Sequence, residues 1–152
     1  MVEIDKQRSA GILFPVFSMR RQGDLGIGDT TAVMQCLDWF AQHQIGFLQL
    51  LPINVTGGDR SPYSAISSVA LDPIYLDLEK IKGVGPAMLN RARSRCGVAQ
   101  ISATVDYSTV WQVKHEVMRQ AFRRFQTADE DADFINFKNQ HKGWIRHYCL
   151  YR

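Results

Sequence analysis

The sequence predicts an α/β protein that lays down two parallel strands and turns helical after residue 80. Three observations carry this. Two short, nearly continuous apolar runs stand at residues 10–17 and 47–51. An amphipathic segment of helical period lies between them. In the second half, apolar residues recur at three- and four-residue spacing.

The first run, Ala10 to Phe17, suits a strand buried on both faces, as in a parallel sheet. Ser18 to Gly28 is polar and glycine-rich and reads as a loop. A helix follows from about Thr30 to His43, with Asp29, Thr30 and Thr31 offering side-chain oxygens as N-caps. Its apolar face is Val33, Cys36, Leu37, Phe40 and Ala41. Phe47 to Leu51 is the second strand, closed by Pro52. Strand, helix, strand in this order is a βαβ unit, with a right-handed crossover. The loops starting at Ser18 and Pro52 follow the carboxyl ends of the strands, the edge where α/β barrels and open parallel sheets build their sites.

After Leu78 the chain is helical. Gly85-Pro86 opens a helix with Met88, Leu89 and Ala92 on its apolar face. Thr109-x-x-Gln112 has capping-box spacing. It precedes a helix with Val110, Val113, Val117, Ala121 and Phe125 along one side, broadened by Trp111, Met118 and Phe122. Asp129 to Gln140 reads as a further helix, with acids at its positive end. A last segment carries Trp144, Ile145, Tyr148 and Cys149 at helical spacing. That stripe has no stop signal, and two strands make a poor sheet alone. The sequence therefore reads as an N-terminal piece of a longer α/β protein.

Composition excludes several classes. At 152 residues, with 45% hydrophobic and 22% charged residues, the chain is ordinary globular material. No apolar run is long enough to span a membrane, and no signal peptide is visible. Residues 1–82 hold seven Lys/Arg against nine Asp/Glu (net −2), and residues 83–152 hold eleven against six (net +5). The arginines of the basic half (Arg91, Arg93, Arg95, Arg119, Arg123 and Arg124) sit on helix-like segments beside apolar residues. They read as a solvated face, not a nucleic-acid surface. Cys36, Cys96 and Cys149 are widely spaced and odd in number, which points to a reducing, cytoplasmic setting. His43, His115, His141 and His147 show no metal-ligand spacing, so no metal site is expected.

Gly23-Asp-Leu-Gly26-Ile-Gly28 has the order GxxGxG, the reverse of a dinucleotide fingerprint, and no lysine follows. It reads as a tight loop whose glycines permit positive φ and close backbone approach, with Asp29 capping the next helix. Arg60-Ser61-Pro62-Tyr63-Ser64 lies on the presumed active edge. Pro62 stiffens the backbone and restricts Ser61, so Tyr63 is held in a defined place. Two readings stand for Tyr63: a ring on which a sugar face rests, or a plug that seats the loop. Asp24, Asp29, Asp59, Asp72 and Asp77 are available, but no spacing marks out a catalytic pair.

Taken together, these residues resemble the start of the amylomaltase family of 4-α-glucanotransferases, or disproportionating enzymes. Arg8 to Ser18 resembles that family's opening strand, and Gly23 to Asp29 its glycine loop. Gln49-Leu-Leu-Pro52 is similar to the end of its second strand. Ser61-Pro-Tyr63, Asp72-Pro73 and Leu76-Asp77-Leu78 resemble the loop after it. Val105-Asp106-Tyr107, the helix from Val110 to Phe125, and Trp144 with Tyr148 resemble the helical segment that follows. Two departures are Leu71-Asp72-Pro73, where Gly-Asn-Pro is common, and Arg20-Arg21-Gln22 in the first loop.

The resemblance implies the N-terminal portion of a (β/α)8 TIM barrel of the α-amylase-like kind, with a helical insertion after the second strand. Residues 1–80 would hold the first strands and active-edge loops, and residues 81–152 the helical segment. The implied activity moves a segment of α-1,4-glucan to the 4-hydroxyl of an acceptor glucose or maltodextrin by a retaining double displacement, with no cofactor. Partners would be maltodextrins and α-1,4-glucans, with neither nucleic acid nor membrane. The family's three catalytic carboxylates lie on later strands, in the part of the barrel missing here, so none is assigned. Tyr63 carries over as a donor-sugar residue, with Ser61 beside it in the same motif. The alternative is a non-catalytic maltodextrin-binding protein.

Overall fold

A computed structural model describes residues 9–126 and 131–151. Met1 to Arg8, which include the first residue of the opening-strand motif, lie outside the described residues, as does Asp129.

Strand β1 (Gly11–Phe14) pairs in parallel with β2 (Phe47–Leu50), Gly11 opposite Phe47 and Phe14 opposite Leu50. Helix α1 (Thr30–Gln42) connects them, so the expected βαβ unit is present. Asp29 is its N-cap, accepting from the Ala32 amide at 3.0 Å. The strands are not buried on both faces, however. Ile12, Leu13 and Phe47 are all exposed. The physical reason is count: among the described residues the sheet has two strands, too few to cover either face. The outer side of α1 is open for the same reason, with Leu37 exposed while Ala32 and Phe40 are buried.

The core lies elsewhere. After β2 the chain makes an extended excursion, then 3-10 turns at Pro73–Tyr75 and Leu78–Lys80. Helices α2 (Pro86–Arg95), α3 (Gly97–Ile101), α4 (Tyr107–Gln126) and α5 (Ala132–Tyr151) follow. Leu25 and Ile27 of the glycine loop, Ile74 and Leu78 of the turns, Met88 and Ala92 of α2, and Val110, Val113 and Val117 of α4 form one buried cluster. The loop after β1 is thereby packed against the helical half.

Pro86 opens α2 with Gly85 as N-cap, as its position dictates. The opening of α4 differs from the capping-box expectation. Asp106 accepts from the Thr109 amide at 3.1 Å and Tyr107 is the first helical residue, so Thr109 sits a turn inside. An aspartate competes well for a helix start, which moves the boundary three residues toward the N-terminus. The two helical segments expected after residue 129 are one continuous helix, α5. None of its residues is buried. Phe134 meets Phe125 of α4 edge-on, with ring centroids 5.1 Å apart.

Candidate functional site at the carboxyl edge of the strands

The segment after β2 folds back on itself. Asn54 bridges Leu71 and Thr56 bridges Ala65, both antiparallel. Val55 donates to Ala70 O at 3.0 Å, Ile66 to Val55 O at 2.8 Å, and Asp72 to Ile53 O at 2.9 Å. The result is a hairpin whose tip carries Ser61, Pro62 and Tyr63. Arg60 enters the tip in the left-handed region, φ 55°. The Ser61 amide donates to Asp59 Oδ1 at 3.2 Å, and the Tyr63 amide to Ser61 Oγ at 3.3 Å. Hydrogen bonds from the Ser64 hydroxyl and the Ser61 amide hold the Asp59 carboxyl below its ordinary range. The Tyr63 side chain is 76% exposed, so the ring plugs nothing in this chain and stands free at the tip. Ser61 is half-buried and shapes the turn through its hydroxyl.

A charged cluster ties the loop after β1 to the segment after the hairpin. Arg21 forks onto Asp29, with Nε to Oδ1 at 2.9 Å and Nη2 to Oδ2 at 2.8 Å, and reaches Asp77 Oδ2 at 3.1 Å. Thr31 Oγ1 donates to Asp77 Oδ2 at 2.6 Å, and the Asp77 amide donates to Thr30 Oγ1 at 3.2 Å. Arg20 holds Asp24 in the same forked way, with both contacts at 2.8 Å. Burial alone would raise the Asp24 carboxyl. The Arg20 fork and the Gly26 and Arg21 amides outweigh it, so the group stays below its usual range. Planar guanidinium pairing of this kind suits loops that must be held in one geometry. The Arg-Arg departure in the first loop is therefore a fastening, and Asp72 of the second departure caps the turn at Pro73–Tyr75 by accepting from Ile74 N at 3.0 Å. Asp24, Asp29 and Asp77 are buried and engaged with arginines, amides and threonines, which leaves them structural.

The glycine loop shows the conformations its composition implied. Gly23 and Gly26 have φ of +86° and +98°. At Gly28 a Cβ would lie 1.9 Å from Val16 O, so the backbones touch there.

Between the hairpin and α4 lies a cavity of about 680 Å3, lined in part by Arg60, Tyr75, Tyr107, Trp111 and Lys114. Tyr63 is outside it. Arg60 places its guanidinium 5.3 Å from the centre of the Tyr107 ring. Burial pushes the Tyr75 hydroxyl well above its ordinary range. Lys114 is 2% exposed and donates to two backbone carbonyls, Ile74 O at 2.6 Å and Leu76 O at 2.8 Å. Burial lowers its pKa to about 8. Lys114 belongs to no motif. Its place four residues after Val110 and three before Val117, on the apolar stripe of α4, is the one signal in the sequence that sets it apart.

The remaining basic residues of the helical half are largely engaged or solvated. Arg93 pairs with Glu79 and Arg95 with Glu116, while Arg124 donates to Gly83 O at 3.1 Å. His43 stacks on Trp39 and His115 on Trp111. Among the described residues no group of three or more His, Cys, Asp or Glu is placed to hold a metal ion, and no helix is long and apolar enough to cross a membrane.

The chain is similar to the 4-alpha-glucanotransferase of Chlamydia caviae, at 34% identity over 93% of this chain and 27% of the relative. It is 32% identical to that of Chlamydia trachomatis serovar D, over 99% of this chain and 29% of the relative. It is 29% identical to that of a Synechocystis species, over 97% and 29%. The chain thus spans under a third of the length of the curated relatives it matches. The sequence profile of the family described as 4-alpha-glucanotransferase matches residues 14–152, from the end of β1 through α5, and the chain belongs to that family.

Proposed function

We propose that this chain is the N-terminal part of a 4-α-glucanotransferase, and that the hairpin tip with Tyr63 and Ser61 forms part of its donor-sugar site. The observation that carries the reading is the placement of an exposed tyrosine, on a stiffened Ser-Pro-Tyr turn, in the loop after β2 of a chain of this family. A sugar presents apolar CH faces and hydroxyls. A free-standing phenol ring supplies a surface for the one and a hydrogen-bonding group for the other.

In this reading β1 and β2 are the first strands of a (β/α)8 barrel of the α-amylase-like kind. Residues 1–80 supply strands and active-edge loops, and residues 81–152 a helical segment inserted after the second strand. Such a barrel takes roughly 250 residues. Its catalytic carboxylates lie in the remaining sequence. The reaction is a retaining double displacement on α-1,4-glucans and maltodextrins. A carboxylate attacks the anomeric carbon, the C1–O4 bond breaks, and a carboxylic acid gives its proton to the leaving O4, which departs as a hydroxyl. The acceptor's 4-hydroxyl then gives its proton to that same residue and displaces the enzyme carboxylate. The three unpaired cysteines support a reducing, cytoplasmic setting.

Incubation of the longer protein with maltotriose is expected to yield glucose and longer dextrins, and Tyr63→Ala to lower kcat/KM at least tenfold. Tyr63 is exposed, so the same change leaves thermal stability unaltered. An active Tyr63→Ala enzyme with wild-type kcat/KM would remove Tyr63 from the site. The exposure of Tyr63 within this chain favours a second reading, a non-catalytic maltodextrin-binding protein. Heat on mixing the 152-residue chain with maltoheptaose, abolished by Tyr63→Ala and without turnover by the longer protein, would select it.

A further inference from the structure

We infer that Lys114 is a positioning residue for the sugar site: from helix α4 its buried ammonium holds the base of the hairpin that presents Tyr63. The inference rests on the reading of Tyr63 as a sugar-binding residue and adds the element that aims it.

From the hairpin the chain returns to the body of the protein through the segment from Asp72 to Leu78. The Asp72 amide closes the base onto Ile53 O at 2.9 Å. Immediately beyond it, Ile74 O and Leu76 O both turn toward Lys114 Nζ, at 2.6 and 2.8 Å. Beyond these, Asp77 is fixed to Thr31 and Arg21. Lys114 is thus the side chain of α4 that grips the carbonyls between the hairpin base and the charged cluster. A methylene stem passing through the apolar stripe explains why a lysine stands among valines there: Val110, Val113 and Val117 are buried around the same face. An ammonium in this place makes charge-assisted bonds to both carbonyls, which are stronger than neutral ones. The tip has a second fastening to α4 in the Arg60–Tyr107 contact. Base and tip are therefore both registered on one helix, which is how supporting residues hold a site within the tolerance that binding needs.

The test has two parts. Hydrogen exchange of the 152-residue chain reads the hairpin directly. Lys114→Met is expected to speed exchange of the Val55, Ile66 and Asp72 amides about tenfold or more, with the α2 amides unchanged. Lys114→Gln keeps one donor and is expected to fall between, which also covers the case where the methionine variant does not fold. Hairpin amides that keep wild-type protection in a folded variant overturn the inference.

Kinetics of the longer enzyme on maltotriose read the consequence. Lys114→Gln is expected to lower kcat/KM about tenfold in the wild-type background and less than twofold in the Tyr63→Ala background, because a displaced tip costs nothing once its ring is gone. Equal losses in both backgrounds overturn the inference, since a general structural role would act regardless of Tyr63. If the hairpin loosens but Tyr63→Ala alone is silent, the sugar-site reading of Tyr63 fails. The sugar-site part of the inference falls with it, while Lys114 still stands as the hairpin's anchor.

Discussion

Gly28→Ala is expected to destabilise the chain by about 4 kcal/mol, and the figure can be built from the contact. The added Cβ would stand 1.9 Å from Val16 O and 2.7 Å from Met19 O. A relaxed carbon–oxygen contact is about 3.3 Å, so one backbone must retreat by roughly 1.4 Å. Both neighbours are main-chain atoms, Val16 O in the 3-10 turn Val16–Ser18 and Met19 O at its C-cap, and no side chain can swing aside to make room. A retreat of that size lengthens Gly28 N–H to Phe17 O, now 3.1 Å, and Met19 N–H to Val16 O, now 3.0 Å. Each bond is worth about 1 kcal/mol, and overpacking a buried site adds about 1–3 kcal/mol. The assay is urea unfolding followed by far-UV ellipticity at low protein concentration. With a slope of about 2 kcal/mol per molar, the midpoint should fall by about 2 M. Gly143→Ala is the matched control. It lies inside α5 with nothing within 4 Å of its Cβ, and should raise stability by about 0.5–1 kcal/mol. A Gly28→Ala chain within 0.5 kcal/mol of wild type would refute the close-approach reasoning.

The other two stability predictions use the charges. Asp29→Ala removes the α1 cap, about 1 kcal/mol, and takes one carboxylate from Arg21, for a total loss of about 3–5 kcal/mol. Asp29→Asn keeps an acceptor for the Ala32 amide and should recover about 1 kcal/mol of it in the same urea assay; identical losses would show that the cap contributes nothing. For Lys114 the sign runs with rising pH. The folded group releases its proton near pH 8 against an ordinary 10.5, so between those values the unfolded chain binds more protons and folding gains stability as pH rises. The burials of Cys36, Cys96 and Tyr75 act oppositely, since their thiols and hydroxyl are held protonated in the fold. Stability of the wild type minus that of Lys114→Met isolates the lysine. The difference should shift toward the wild type by about 1.4 kcal/mol per pH unit from pH 8 to 10, and a flat difference would contradict the assignment.

Local chemistry made much of this protein legible in one dimension. Asp29 before a helical period, Pro86 after a glycine, and the period-3.6 stripe of α4 all depend on neighbours within a few residues, and the structure agrees with each. The glycine loop belongs to the same class, because φ is a property of the residue itself. The stiffness of the Ser-Pro-Tyr turn belongs there too, because Pro62 fixes its own φ. Boundaries set by competition between nearby caps were not: Asp106 takes the start of α4 from Thr109, and the helix after residue 131 runs unbroken to Tyr151.

Tertiary structure alone decided what the strands and charges do. An apolar strand is buried only if other strands and helices are there to cover it, and here Leu13 and Phe47 remain exposed while the core forms between the glycine loop and α4. The partners of Arg20 and Arg21, and the two carbonyls gripped by Lys114 from some 40 residues away, depend on how the chain returns on itself. Sequence by itself determined the local elements, the motif order and the family. Long-range packing determined which charges became fastenings and where the tyrosine of the hairpin stands, because burial and electrostatic pairing act through space and not along the chain.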